Sequence, residues 1–265
     1  MKKLFSIIIC VMTLLFVGCE PIAPEVIGVF SVSETKQVTF SSGNLQYHPA
    51  NNEWRFAQSQ LDYIGEANNN ISSTYNGWID LFGWSTATTN FGVSTYTSSS
   101  DYSGSFVDWG TNKIGNDAPN TWRTLTYDEW DYVVFNRPNA SSLKGCAQVN
   151  GVNGLILLPD SWTCPSSVTF KSGFHSEYSV EAYSQYQTFS ADQWSKLESA
   201  GAVFLPVAGF RLGSTVDYVQ GIGYCWSATE DGSDNAYVLF FVSDGADWGS
   251  SERFIGSSVR LVKEL

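Results

Sequence analysis

The sequence predicts an α+β fold: antiparallel sheets, two main helices and long irregular loops. Three observations lead there. Thr126-Tyr127-Asp128-Glu129 and Ser190-Ala191-Asp192-Gln193 are written as helix capping boxes. Many short segments mix apolar and polar residues in the partial alternation of half-buried strands. Residues 65–120 are rich in Ser, Thr, Asn, Gly and Tyr, hold Trp78, Trp84 and Trp109, and carry no helical period.

Taken in order, residues 29–33 and 37–40 read as strands separated by Glu34-Thr35-Lys36. Residues 44–47 and 54–57 read as a further pair around a loop at 48–52. Spaced Trp and Phe need a place to bury, so residues 65–120 are expected to be ordered by aromatic anchors. After Thr126, Tyr127, Trp130, Val133 and Val134 recur at helical spacing, and Pro138 stops the run. Asn150-Gly151-Val152-Asn153-Gly154 reads as the turn between strands at 148–149 and 155–158. After Ser190, Trp194, Leu197 and Ala200 follow, with Gly201 as the C-terminal cap. A core strand begins at 202–205 and is expected to continue at 210–211 beyond Pro206. Residues 237–242 are apolar enough for burial on both faces, and residues 259–262 form a terminal strand.

The 265 residues include 10 Trp, 13 Tyr and 17 Phe, enough aromatic area for a sizeable core. Fourteen basic residues against 26 acidic ones give a formal charge of −12. Phosphate would be repelled, which excludes nucleic-acid binding through a broad basic face. Two His are too few for a His-based metal centre.

Met1-Lys2-Lys3 is a basic start, and residues 4–17 form an apolar run of signal-peptide length. Phe16-Val17-Gly18-Cys19 resembles a bacterial lipobox, which implies cleavage after residue 18 and lipidation of Cys19. Two or three acyl chains anchor a protein stably where one does not. Glu20 resembles the surface-export signal of Bacteroides-type lipoproteins, so the expected place is the outer membrane, facing outward. Residues 19–28, with Pro21 and Pro24, read as a tether, and residues 29–265 as one domain. Cys146, Cys164 and Cys225 then remain, an odd number. A Cys146–Cys164 bridge is the less favoured reading, and Cys225 reads as a buried, inert thiol.

A recognisable order appears late in the chain. It runs through Leu157-Leu158-Pro159-Asp160, Leu205-Pro206-Val207-Ala208-Gly209-Phe210-Arg211, Gly223-Tyr224-Cys225-Trp226-Ser227-Ala228-Thr229 and Ser257-Ser258-Val259-Arg260-Leu261. Upstream, Gly43-Asn44-Leu45-Gln46-Tyr47 and Gly77-Trp78-Ile79-Asp80-Leu81-Phe82-Gly83-Trp84 belong to the same pattern. This resembles the Fibrobacter major paralogous domain and related lipoproteins of Bacteroides-type bacteria, over most of the mature chain. The resemblance implies a C-type-lectin-like fold, in the branch that includes formylglycine-generating enzyme. It also implies that a polar stretch near the C-terminus displays the side chains that contact ligand. Here that stretch offers Glu230, Asp231, Asp234, Asn235 and Tyr237, then Asp244, Asp247, Trp248, Arg253 and Phe254. Trp248, Tyr237, Phe254 and Arg253 are residue types enriched at binding hot spots. Core burial is the competing reading for Tyr237 and Phe254. Trp130, Trp194 and Trp226 sit in helix or strand motifs and are structural. Trp78, Trp84, Trp109 and Trp248 sit in polar stretches, where contact with ligand is open.

Catalysis finds no support in the sequence. No pair of carboxylates has a context that selects it for glycoside hydrolysis. His48 and His175 sit in loops, away from any nucleophile motif, and read as satisfied surface residues. Formylglycine-generating enzyme uses two redox cysteines near its C-terminus, where this chain has only Cys225. Arg137-Pro138-Asn139 and Leu158-Pro159-Asp160 lack the acid or amide that calcium-dependent lectins place before Pro, and Trp226 precedes Ser-Ala rather than Asn-Asp. The expectation is a non-catalytic surface lipoprotein, without cofactor or metal, that binds a protein or glycan. The alternatives are a structural subunit of a surface appendage and a carbohydrate- or sulfatase-related enzyme.

Overall fold

The computed structural model describes residues 28–265. The expected leader, Cys19, Glu20 and the tether through residue 27 lie outside the described residues. Gly28, counted with the tether, is already buried: a Cβ there would lie 2.2 Å from the Gly201 carbonyl oxygen.

Strands β1 (Phe30–Ser31) and β2 (Gln37–Phe40) pair antiparallel. Strands β3 (Leu45–His48) and β4 (Glu53–Phe56) form a hairpin, with Tyr47 opposite Trp54 and their rings 4.4 Å apart. The chain then runs through short 3-10 turns and single bridges until β5 (Arg123–Thr124). Aromatic anchors order this region, as expected. Trp84, Tyr102 and Trp109 are buried, and the indole N–H groups of Trp84 and Trp109 donate to the carbonyls of Ser227 (3.0 Å) and Phe91 (2.7 Å). Neither Trp84 nor Trp109 is therefore open to ligand. Polar neighbours had suggested a surface, but Ser85, Thr86 and Thr89 are themselves buried, with their hydroxyls bonded to one another or to backbone.

Helix α1 (Tyr127–Asp131) starts with both halves of its capping box. The Glu129 amide donates to Thr126 Oγ1 at 3.3 Å, and the Thr126 amide to Glu129 Oε2 at 3.0 Å. The same carboxylate takes two hydrogen bonds from Arg123, at 2.6 and 2.8 Å. Residues 132–136 continue as a wider π-helical turn, closed by the Arg137 amide on the Tyr132 carbonyl.

Strands β6 (Lys144–Val149) and β7 (Val152–Leu157) meet at a two-residue turn, shorter than the expected five. Asn150 and Gly151 both take positive φ (47° and 85°), the turn whose twist matches the strands, so Val152, Asn153 and Gly154 continue β7. Helix α2 (Ala182–Tyr186) is a short addition to the two helices expected. It leads into β8 (Thr188–Phe189), helix α3 (Ala191–Ser199) with its Ser190 capping box, and β9 (Val203–Pro206). The sheet order is β8-β6-β7-β9, with only β8 parallel to its neighbour. Residues 210–211 do not extend β9. The chain turns at Gly209, whose φ is +74°, and makes a separate ribbon from β10 (Phe210–Leu212) and β11 (Thr215–Asp217).

Strands β12 (Gly223–Asp231), β13 (Asn235–Val242) and β14 (Gly245–Glu252) form an antiparallel sheet with β13 in the middle. The polar stretch expected as display loops is thus mostly sheet. Strand β14 lacks apolar alternation because it is an edge, and the ladder to apolar β13 orders it instead. Strand β15 (Leu261–Glu264) inserts between β2 and β5, so both ends of the described chain share one sheet, β1-β2-β15-β5.

Strand β13 divides two cores. Leu239 and Phe241 join Phe40, Trp130, Leu155 and Leu205 on one side. Ala236 and Val238 join Leu45, Phe82, Trp84 and Trp109 on the other. Cys146, Cys164 and Cys225 are all free thiols. Burial pushes Cys225 up to about 12 and Cys146 up to about 11, so both are inert at neutral pH. No helix among the described residues is long and apolar enough to cross a membrane.

Candidate functional site

Side chains alternate along β13, so its register sorts the expected ligand residues by face. Tyr237, Leu239 and Phe241 share one face; Ala236, Val238 and Phe240 share the other. Trp248 lies opposite Leu239, on the Tyr237 face. This face meets the start of α1. The Tyr127 ring lies 4.5 Å from Tyr237 and 4.6 Å from Trp248, centre to centre, and Phe135 backs Trp248 at 6.2 Å. The indole N–H of Trp248 donates to Asp131 Oδ1 at 2.9 Å, which fixes the ring plane. Tyr127, Tyr237 and Trp248 are all half-buried.

Carboxylates surround these rings. The negative charge of Asp231 raises the Tyr237 phenol above its usual range, with burial and a hydrogen bond to Asp231 adding to it. Burial raises Tyr127 too, followed by the charges of Asp131, Asp128 and Asp247. Both phenols therefore stay protonated at neutral pH and can donate as well as accept. The face presents aromatic planes, two phenol hydroxyls and several carboxylates in fixed positions.

The structure gathers only part of the expected set here. Asp231, Asn235, Tyr237 and Trp248 share the face; Asp247, opposite Phe240, belongs to the other one, its Oδ1 accepting from the Trp248 amide at 2.8 Å. Asp234 is exposed in the β12–β13 turn. Asp244 sits at the opposite end of the eight-residue β13, roughly 25 Å away. Glu230 points to the other face, toward Arg253. Phe254 is half-buried just beyond β14.

Arg253 is not displayed. It is 2% exposed and lies 4.3 Å over the Trp84 ring. Its guanidinium donates to the carbonyls of Tyr102, Gly104, Gly232 and Asn235. A forked donor group amid unpaired carbonyls is drawn inward, and hot-spot statistics do not see those carbonyls.

Sequence reasoning missed Tyr127, Asp131 and Phe135, which it had counted as helix. A signal was present: Asp131 and Phe135 stand four residues apart, on a helix face that core positions Trp130, Val133 and Val134 leave free.

Other residues weighed for chemistry have structural partners. His48 is buried, not at the surface, with Trp78 edge-on at 5.1 Å. His175 Nδ1 accepts from the Glu177 amide at 3.0 Å. The two proline motifs are joined to each other: Arg137 donates to Asp160 at 2.8 Å, and Asp160 also takes the Ser31 amide and hydroxyl. Trp78 is half-buried under the Arg55 guanidinium, 3.7 Å from its ring centre. Among the described residues, no three His, Cys, Asp or Glu side chains converge on a metal position.

No family model, no curated protein and no solved structure matches this chain.

Proposed function

We propose that this chain is a non-catalytic binding module, lipid-anchored through Cys19 at the bacterial outer membrane and facing outward. It takes a protein or glycan ligand on the face formed by Tyr127, Tyr237 and Trp248. The observation that carries this reading is the half-buried aromatic trio held beside Asp131 and Asp231. Rings already fixed by packing lose little freedom on binding, so their contact area converts efficiently into affinity. The carboxylates would accept hydrogen bonds and set orientation. Support for the anchor is the basic start, apolar run and Gly18-Cys19 of the sequence. Support for a C-type-lectin-like arrangement akin to the Fibrobacter major paralogous domain is the set of antiparallel sheets with two main helices and a long aromatic-anchored loop region.

The purified chain, screened on arrays of glycans and host proteins, should capture a ligand. Tyr237→Ser combined with Asp231→Asn should then weaken capture by at least about tenfold. The melting temperature should move little, because both side chains reach solvent. Capture undiminished by the double variant would place the ligand elsewhere and refute the reading.

A further inference from the structure

The opposite face of the same sheet carries a second aromatic surface, which shares neither ring nor phenol with the first. Tyr224 of β12 pairs with Phe240 of β13, which pairs with Asp247 of β14, so all three side chains share this face. The row continues across the β10–β11 ribbon. Phe240 to Tyr224 is 5.6 Å between ring centres, Tyr224 to Phe210 is 5.9 Å, and Phe210 to Tyr218 is 5.7 Å with the planes only 20° apart. Asp217 lies opposite Phe210 and on its side of the ribbon. Tyr178 closes the array: a Cβ at Gly221 would lie 3.5 Å from its hydroxyl. Tyr218 is 58% exposed and Tyr178 47%, the largest side chains among the exposed hydrophobics apart from Tyr96.

The backbone beneath the row is held in an unfavourable form. Tyr218 has a φ of +56° and Gln220 one of +65°, a left-handed conformation that bulky side chains rarely take. Surrounding bonds enforce it. The Tyr218 carbonyl accepts from the amides of Gly221 and Ile222, at 2.9 and 3.0 Å. Gln220 accepts from the Asn153 amide at 2.7 Å and donates to the Tyr63 hydroxyl at 2.7 Å. Strain held in place by so many contacts, under an exposed ring, marks a presented side chain rather than a frayed loop.

We infer that this row is a binding platform for a neutral oligosaccharide. The rings form a continuous strip, and the C–H faces of pyranose units can lie on such planes. The hydroxyls of Tyr178, Tyr218 and Tyr224 and the carboxylates of Asp217 and Asp247 border the strip and suit sugar hydroxyls. Charge selects among occupants. The row contains acids and no Lys or Arg, which disfavours anionic glycans, anionic lipid and nucleic acid. A second copy of the chain would bring a like formal charge of −12 to an acid-bordered surface.

The test uses the purified chain titrated calorimetrically with cellohexaose, mannohexaose and laminarihexaose, and with polygalacturonate as the anionic comparison. At least one neutral hexasaccharide should bind, and polygalacturonate should not. Tyr178→Ser combined with Tyr218→Asn should weaken that binding by about tenfold or more. Asn tolerates the left-handed backbone, so the fold should survive and Tyr218→Asn alone should raise the melting temperature. The part of the saccharide binding that Tyr178→Ser with Tyr218→Asn removes should persist in Tyr237→Ser, whatever that variant does at the face around Trp248, which separates the two surfaces. Three results would overturn the inference: no neutral hexasaccharide binding, binding unaltered in the double variant, or a native dimer in sedimentation that the double variant abolishes. The last would assign the row to a second copy of the chain.

Discussion

Arg253 directs its guanidinium at four carbonyl oxygens and one carboxylate; the bond to the Tyr102 carbonyl is buried, and the others reach toward the partly exposed Gly104, Gly232, Asn235 and Glu230. The bonds tie together the 102–104 turn, the β12–β13 turn and the end of β14. Arg253→Ala should therefore cost about 3–5 kcal/mol, read as a lowered denaturation midpoint, because it leaves the buried Tyr102 carbonyl unpaired, removes three bonds at partly exposed carbonyls and empties the space over Trp84. Little of that cost would come from Glu230, whose side chain is 63% exposed and well screened. Arg260 is buried as deeply and solved differently. It donates to Gln60 Oε1 at 2.5 Å, and Gln60 passes the polarity on to Glu198 at 2.9 Å. Burial draws Arg260 down to about 10, still charged at neutral pH. In the sequence both arginines look like surface residue types. Their burial depends on partners between about 20 and 200 positions away, at distances no local pattern encodes.

Helices α1 and α3 stand on their caps. In each, the first-turn amides are answered by a Thr or Ser hydroxyl, and the third residue answers back. Thr126→Ala and Ser190→Ala should each cost about 1 kcal/mol in chemical denaturation. Thr126→Ala carries a further expectation, because Glu129 also binds Arg123 and thereby couples the cap to β5. These caps were legible because a cap is a contact between residues three apart. The β6–β7 turn was legible in kind, through Asn150-Gly151, but not in length, since strand pairing decides where a turn ends. Strand β14 was not legible at all. Its Gly, Ser and Asp residues carry little strand preference, and its order comes from pairing with β13.

The whole molecule is closed by its C-terminus. Strand β15 sets Val262 between Phe40 of β2 and Arg123 of β5, and Leu261 and Val262 are fully buried. Removing residues 261–265 would unpair both neighbours and open the two cores that β13 divides. The truncated chain should lose its cooperative thermal transition in calorimetry. By contrast, the Tyr218→Asn and Tyr237→Ser changes should keep that transition. The aromatic excess is divided on the same scale. Trp84 and Trp109 fill the second core, while Trp248 lies on one face of the β12–β13–β14 sheet and Tyr218 and Tyr178 extend the aromatic row that begins with Phe240 and Tyr224 on the other.

The sequence by itself determined the α+β class, both capped helices, the first two strand pairs and an ordered aromatic-anchored region. Each rests on neighbours in the chain or on composition, where short-range physics decides. Only the tertiary structure decided which aromatics meet solvent, which charges are buried, and that Tyr127 and Asp131 join Tyr237 and Trp248. Those outcomes depend on strand register and on which helix packs against which sheet. A one-residue change of register would turn Tyr237 from one face to the other, and nothing local to Tyr237 records that choice.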